Sequence, residues 1–299
     1  MRLTKISLKD KRLFNRFLGA SSRGLAVYAF ENIFIWKELF DIRWVVIEDS
    51  LCVFFRDKIG CFLYLPPLGS NKGPGAVEEV FKIMDSFNRN KEISRIENIE
   101  EEDISFYQGL GLDCRIKSYD YLCGREDLTD LGGNRFKSKR SSFNYFIKHN
   151  KFEYLPFSLR HKEDCFKLYD CWRGKRKANN PDPLSCGMLD DAAICLAALL
   201  KNYRKLDITG RLVKIGQNLK AFTFGYELNP DTFCVLYEVA DLSVKGLAQF
   251  IFRSFCQELK DYKYINIMDD SGLENLKKVK LSYHPVKLVP AYIAKKKDE

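Results

Sequence analysis

The stretch from 233 to 294 constrains the fold more than any other part of the chain. It opens on an apolar, β-branched run, Phe233-Cys234-Val235-Leu236-Tyr237-Glu238-Val239, which reads as a buried strand. A turn, Asp241-Leu242-Ser243-Val244-Lys245-Gly246, leads into a segment with Leu247, Phe250, Ile251, Phe255 and Leu259 at helical spacing. A short strand follows, Tyr264-Ile265-Asn266-Ile267-Met268, and ends in Asp269-Asp270. Ser271 and Glu274 have the S-x-x-E spacing of a capping box, which predicts a helix running to Lys280. A last strand over 286–293 is expected to close the unit. The order is strand, glycine turn, helix, strand, helix, strand.

Within this stretch Asn266, Asp270, Gly272, Leu276, Lys280, Ser282, Tyr283 and Pro285 spell N-x-x-x-D-x-G…L-x-x-x-K-x-S-Y-x-P. That pattern resembles the signature of the phosphatidylglycerol lysyltransferase C-terminal family, the soluble transferase portion of lysyl-phosphatidylglycerol synthases, which also occurs free-standing. Two more tracts fit. Leu131, Gly133, Lys139, Arg140, Asn144 and Phe146 look like the family's L-x-G-…-K-R-x-x-x-N-x-F element, and Asn32, Phe34 and Trp36 look like its N-x-F-x-W. With Ala221-Phe222-Thr223 between them, the resemblance covers nearly the whole chain. It implies an α+β protein of two tandem GNAT-like (acyl-CoA N-acyltransferase-like) domains, each a central, mostly antiparallel sheet flanked by helices. It also implies acyl transfer, with an aminoacyl group from tRNA in the best-known members. The chain departs from the family pattern at Met268, where an acidic residue is usual, and at Lys277, where arginine is usual.

A chain of 299 residues fits two domains at roughly 150 residues each. We expect an N-terminal domain over 1–130 and a C-terminal domain over 131–299, the latter with a basic helical lead-in. An internal repeat supports the pair without the resemblance. Asn98-Ile99-Glu100-Glu101-Glu102 lies over Asn266-Ile267-Met268-Asp269-Asp270, and the flanking helix, helix and strand fall into step. Upstream, 44–65 reads as a strand meander, 76–87 as a helix with Val77, Val80, Phe81 and Met84 inward, and 114–122 as a strand. Ser7 and Asp10 signal a helix start.

The 46% hydrophobic content lets each half bury a core, and the net charge of +9 points to anionic partners, with plain solubility as the alternative. Ten cysteines without a C-x-x-C and three dispersed histidines argue against a metal and for reduced thiols in a cytoplasmic protein. The longest strongly apolar run, 192–200, is half of a membrane span, so no transmembrane segment is expected. The resemblance then implies a chain without the membrane portion of full-length synthases.

Between the repeats, 132–152 holds six basic residues and no acidic one: Arg135, Lys137, Lys139, Arg140, Lys148 and Lys151. Phe136, Phe143 and Ile147 at helical spacing predict an amphipathic helix with a basic face. Arg173, Lys175 and Arg176 make a second knot. These residues are candidates for contact with an RNA backbone, against the alternative of a solvated helix face.

The chemistry candidates gather near the end of the chain. Ser243, Val244, Lys245 and Gly246 occupy the place of a GNAT pyrophosphate loop, although Gly246 is the one glycine there. The same turn would suit the oxyanion of an ester carbonyl. Asp269 and Asp270 would bind an ammonium or position a nucleophile, or else favour a helix N-terminus. Tyr283 would act as an acid toward a leaving group, or be a structural tyrosine. Lys280 would meet an anion, and Asn266 joins the substrate-binding set through the family signature. Glu238, an acid in an apolar strand, is either paired with a base such as Lys280 or lines the cleft. Three functions follow. The first is aminoacyl transfer from aminoacyl-tRNA to a lipid or small acceptor, with no cofactor and with peripheral contact to acidic lipid. The second is coenzyme A-dependent N-acylation, and the third is non-catalytic RNA or anion binding.

Overall fold

The structure, a computed structural model, describes residues 2–19, 23–69 and 73–297. In chain order it contains strand β1 (Thr4–Lys5), helices α1 (Lys11–Leu18) and α2 (Phe30–Ile35), strands β2 (Asp41–Ile47), β3 (Ser50–Arg56) and β4 (Cys61–Leu63), helix α3 (Pro74–Phe87), strand β5 (Arg95–Glu100), helix α4 (Ile104–Gly109) and strand β6 (Asp113–Gly124). There follow α5 (Arg125–Asp130), α6 (Lys137–His149), β7 (Glu153–Pro156), α7 (Lys162–Asn179), α8 (Pro183–Asn202), β8 (Thr209–Ile215), β9 (Asn218–Asn229), β10 (Thr232–Ala240), α9 (Leu247–Glu258), β11 (Tyr264–Asn266), α10 (Glu274–Leu281) and β12 (Lys287–Lys295).

The chain divides into two compact units. Unit 1 is Met1–Asp120 with Val289–Glu299, and unit 2 is Tyr121–Leu288. The chain passes between them twice, within β6 and within β12, rather than once after residue 130. In unit 1 the sheet order is β1-β2-β3-β4-β5-β12, antiparallel except for β4 with β5. In unit 2 it is β6-β11-β10-β9-β8-β7, antiparallel except for β10 with β11. Each unit thus contains three antiparallel strands, a helix, a strand parallel to the third, and a helix, which is the expected duplicated GNAT-like order.

One expectation fails at the sheet edges. The last strand does not close the unit it follows: Ala291 and Tyr292 pair with Glu100 and Ile99 of unit 1. The free edge of β11 is taken instead by β6, with Ile265 on Cys123 and Asn266 on Leu122. The closing strands of the two repeats are exchanged.

Local chemistry explains the elements. Glu48 and Asp49 both take positive φ, 46° and 60°, and so make the tight turn of the β2–β3 hairpin. Pro74 sits in the first turn of α3, where its missing N–H is not needed, and Asn88 ends that helix. The Asn88 side chain bonds the N–H and the C=O of Cys61, each at 2.7 Å. Ser7 and Asp10 form the expected capping box before α1. Ser271 and Glu274 do not. The N-cap of α10 is Leu273, and Ser271 lies in a left-handed turn at φ 52°. In α6 the buried rings are Phe143 and Phe146, packed on Phe250 at 5.7 and 4.7 Å, whereas Ile147 is exposed.

Helix α8 is longer than the sequence suggested. With its 3-10 extension it runs Pro183–Lys205, 23 residues within which an 18-residue window has mean hydropathy 1.5, and by length and composition alone it reaches what a bilayer crossing needs. The sequence suggests a helix over 188–203 with its apolar run over 192–200, which leaves out the apolar turns before Asp190. One face packs inward: the hydroxyls of Tyr169 and Tyr237 donate to its Leu189 and Ala192 carbonyls at 2.9 and 2.8 Å.

Candidate active site

Unit 2 opens a wedge in its sheet. Strands β10 and β11 run parallel only over Thr232–Cys234 and Tyr264–Asn266; β10 then continues on β9 while β11 stops. The chain leaving β11 is turned sharply. The buried Asn266 side chain accepts the Met268 N–H at 2.6 Å, and Met268 takes φ 62°, a left-handed conformation costly for a long side chain. The turn is held from both sides. Tyr121 N–H donates to the Met268 carbonyl at 3.2 Å. The Lys280 ammonium donates to the Ile267 carbonyl and, at 3.3 Å, to that of Met268.

In unit 1 the matching gap is filled by its own chain. The Asn98 amide donates to the Tyr64 carbonyl at 2.8 Å, and the Tyr28 hydroxyl donates to the Asn98 carbonyl at 2.7 Å. Beside them the Arg23 guanidinium lies 3.0 Å from both Glu100 and Asp103. The open wedge therefore belongs to unit 2.

Glu238 stands on β10 where the strand has left β11. Neighbouring Tyr237 faces α8, so strand alternation turns Glu238 to the other face of the sheet. There Lys139, Lys280 and Tyr283 are its electrostatic neighbours. The carboxylate is half-buried, and among the described residues neither of its oxygens accepts a hydrogen bond. Burial pushes its pKa up to about 7, with Lys139 and Lys280 pulling it back down. The Lys139 ammonium lies 3.9 Å from the centre of the Tyr283 ring. Burial lowers the Lys139 pKa and Glu238 opposes that. Tyr283 is buried edge-on to Phe252 at 4.8 Å, and burial holds its hydroxyl well above the ordinary tyrosine value, so it stays protonated.

The two aspartates differ. Asp270 accepts from the Tyr121 hydroxyl and, at 2.9 Å, from the Gly272 N–H. Burial and then the Asp270 bond raise the Tyr121 pKa. Asp269 faces the Ser271 hydroxyl at 3.5 Å. The Ser243–Gly246 turn is built for packing. Asp241 accepts from the N–H and hydroxyl of Ser243 at 3.0 and 2.7 Å and pairs with Lys220 at 2.8 Å. Burial would raise its carboxyl, but the Lys220 and Ser243 bonds hold it well below the usual range. Gly246 has φ 81°, and a Cβ there would lie 2.0 Å from the Ser142 carbonyl oxygen. Its glycine is thus required by α6 crossing the start of α9. Val244 packs against the core beneath α6, and Lys245 lies over the Tyr145 ring at 4.4 Å.

The basic candidates separate as well. Lys139 turns inward to Glu238, while Lys137 is exposed. Arg135 pairs with Asp127 at 2.6 Å, and Arg140 caps the Leu131 and Gly133 carbonyls, the latter at 2.7 Å. Arg173 is held by Asp170 and Asp190 at 2.8 and 3.0 Å, and Lys175 reaches Asp241 at 3.4 Å. Arg176 lies over Trp172 at 5.1 Å. Sequence reasoning missed Tyr121, whose partner Asp270 is remote in the chain, and the inward role of Lys139. The spacing of Lys139, Phe143 and Phe146 was the available signal for the second. Among the described residues no group of three or more potential metal ligands occurs.

A mixed sheet of this strand order, splayed between its parallel strands, is that of the GNAT-like acyltransferase fold. The family model "Phosphatidylglycerol lysyltransferase, C-terminal" matches residues 22–295, and the chain belongs to that family. A conserved protein of unknown function from Bacteroides thetaiotaomicron shares the structure at TM-score 0.88 and 26% identity, over 98% of this chain and 99% of that one. L-PGS from Bacillus licheniformis matches in fold at TM-score 0.69 and 15% identity, over 100% and 94%. FemX matches in fold at 0.65 and 10%, over 98% and 97%. No curated protein matches the chain.

Proposed function

We propose that this protein transfers an aminoacyl group from aminoacyl-tRNA to a lipid or small-molecule hydroxyl or amine, with Glu238 as general base. The observation that carries the reading is the half-buried Glu238 carboxylate, without a hydrogen-bonded partner among the described residues and with its pKa near 7, at the mouth of the unit 2 wedge. A base poised near neutrality takes a proton from an incoming nucleophile and returns it to a leaving group. The acceptor O–H or N–H gives its proton to Glu238, and the freed lone pair attacks the ester carbonyl carbon. Negative charge forms on the carbonyl oxygen. Lys139 has no hydrogen-bonded partner among the described residues, which suits its ammonium to that charge. Collapse breaks the carbon–oxygen bond to the ribose, and the departing oxygen takes the proton held by Glu238. Lys280, committed to the Ile267 and Met268 carbonyls, shapes the wedge, and Asp270 holds Tyr121 beside it. Family membership supports the acyl-transfer class, and the donor implies a cytoplasmic site of action.

The turn carries the single glycine Gly246 where a pyrophosphate loop has more, which counts against coenzyme A as donor. The test is single-turnover loss of the ester from a panel of aminoacyl-tRNAs, with acyl-CoAs in parallel, using the wild type and Glu238→Gln. Consumption of acyl-CoA alone, or of an aminoacyl-tRNA equally by both proteins, defeats the reading.

A further inference from the structure

Helix α7 leaves a groove on the far face of the unit 2 sheet. The Tyr169 hydroxyl joins α7 to α8, and Tyr169 is an electrostatic neighbour of Tyr237, so α7 packs on the face opposite Glu238. One stripe of the helix, Asp164, Lys167, Leu168, Cys171, Trp172 and Lys175, has the spacing of a single side. It faces 218–220 at the start of β9 and 241–242 at the end of β10, and the cavity between them measures about 250 Å³. Its lining is of two kinds. Leu168, Trp172, Leu219 and Leu242 are apolar. The Trp172 ring is fixed by Tyr169 at 5.6 Å and by the Arg176 guanidinium at 5.1 Å. The polar part is Lys167, Lys175 and Lys220 against Asp164 and Asp241, three ammoniums and two carboxylates, which leaves one net positive charge. Asp241 anchors two of the ammoniums, Lys220 at 2.8 Å and Lys175 at 3.4 Å, and spends its remaining capacity on Ser243. Each anchored ammonium keeps further N–H donors. Lys167 is exposed and forms no ion pair among the described residues.

We propose that this groove is a binding site for a small aromatic monocarboxylate, separate from the wedge. One carboxylate matches the single net charge of the lining, and a ring covers the tryptophan and the three leucines. The cavity is at the small end of ligand sites, so it takes one ring rather than a nucleotide. A bare inorganic anion would meet the lysines and leave the four apolar side chains in water. A zwitterionic amino acid would bring a fourth ammonium beside the three already there. The site lies behind the sheet from Glu238 and does not rest on the transfer reading.

The probe is phenylpropanoate, with phenylpropanamide as its neutral counterpart. The full chain has three tryptophans, Trp36, Trp44 and Trp172, so fluorotryptophan labelling gives three fluorine NMR signals, and Trp172→Phe assigns the one in the groove. Cys171, the one exposed cysteine among the described residues, adds a second readout through its rate of alkylation by a maleimide. Phenylpropanoate is expected to shift the Trp172 signal saturably, with a Kd of about 1 mM or below, and to slow alkylation of Cys171. The amide is expected to bind about tenfold more weakly. Lys167→Met and Leu219→Ser are each expected to lose about threefold or more in affinity for the acid. Circular dichroism checks their folding, and Lys167→Met, which alters an exposed side chain, decides the matter even if Leu219→Ser does not fold. Absence of a saturable shift, an amide that binds as tightly as the acid, or undiminished affinity in Lys167→Met overturns the proposal. So does inorganic phosphate that displaces the probe at equal concentration, because the groove is then a plain anion site. Phenylalanine binding more tightly than phenylpropanoate overturns it as well, since Asp164 or Asp241 would then be holding an ammonium.

Discussion

The ammonium of Lys139, at the start of α6, stands 3.9 Å from the centre of the Tyr283 ring, just past the end of α10. Two segments far apart in sequence thereby place a desolvated cation beside Glu238. Replacing Lys139 with Met removes the lysine that most favours the ionised carboxylate, so the Glu238 pKa moves up and the ascending limb of the transfer pH profile moves to higher pH. Transfer at neutral pH falls by about tenfold or more if the ammonium also faces the carbonyl oxygen. An unchanged profile would separate Lys139 from the site.

Glu238→Gln is expected to lower transfer by about a hundredfold or more and to abolish the pH limb near 7. Stability gives an independent readout. Because the folded pKa is raised from 4.5 to about 7, the folded protein keeps a proton that the unfolded chain releases over that interval. Wild-type stability is therefore fully present below about pH 4.5 and falls as pH rises through 7, by about 3 kcal/mol at most. The glutamine variant lacks that decline. Parallel denaturant curves at low and high pH measure the difference, and identical slopes would show Glu238 to be solvated.

Asp270 and Tyr121 are expected to act as one unit. Asp270→Asn should keep the fold and lower transfer about tenfold, equivalent to about 1.4 kcal/mol. Tyr121→Phe should have a similar effect, and the double variant little more, with a coupling of about 1–2 kcal/mol in unfolding. Tyr283→Phe, which keeps the ring under Lys139, should lose less. Simple additivity of Asp270→Asn and Tyr121→Phe would mean that their hydrogen bond positions nothing.

Two glycines make a matched pair. Gly246 and Gly272 both have positive φ, 81° and 71°, but only Gly246 has an atom within 4 Å of the added Cβ, the Ser142 oxygen at 2.0 Å. Gly246→Ala is expected to cost about 3 kcal/mol or more, and Gly272→Ala about 1 kcal/mol. Thermal melts of the two variants rank them. Equal shifts would mean that α6 can move away from the turn.

Lys137 and Arg176, both exposed and neither in an ion pair among the described residues, are the better tests of tRNA contact than Arg173, which Asp170 and Asp190 already hold. Reversing the first two should weaken tRNA binding and reduce its salt slope. Reversing Arg173 should mainly loosen α7 from α8. Equal losses of tRNA affinity from all three would restore Arg173 to the binding surface.

The sequence made the local order legible. Periodicity and the tract from Asn266 to Pro285 led to the strands, the helices and most of the wedge residues, because each of those signals is contained in a few turns of chain. The inward face of α6 was missed by a rotation of one residue. Taking Ile147 in place of Phe146 turns the stripe by one helical step and leaves Lys139 in water, and only the packing against Phe250 decides between them. Strand exchange and the Tyr121–Asp270 bond were beyond reach for a different reason: both join segments far apart, where pattern carries no register.

The exchanged closing strands also bear on how the molecule is made. As the chain leaves the ribosome, β5 is present long before residues 291–295, the strand that pairs along it. Tyr121–Gly124, by contrast, already waits when β11 emerges. Unit 2 can complete its sheet during synthesis, while unit 1, though translated first, must hold an open edge until residues 291–295 have emerged. A ribosome stalled after α10 would carry a unit 2 sheet already complete and a unit 1 sheet still lacking its last strand, so the repeat translated first is the one that finishes folding last.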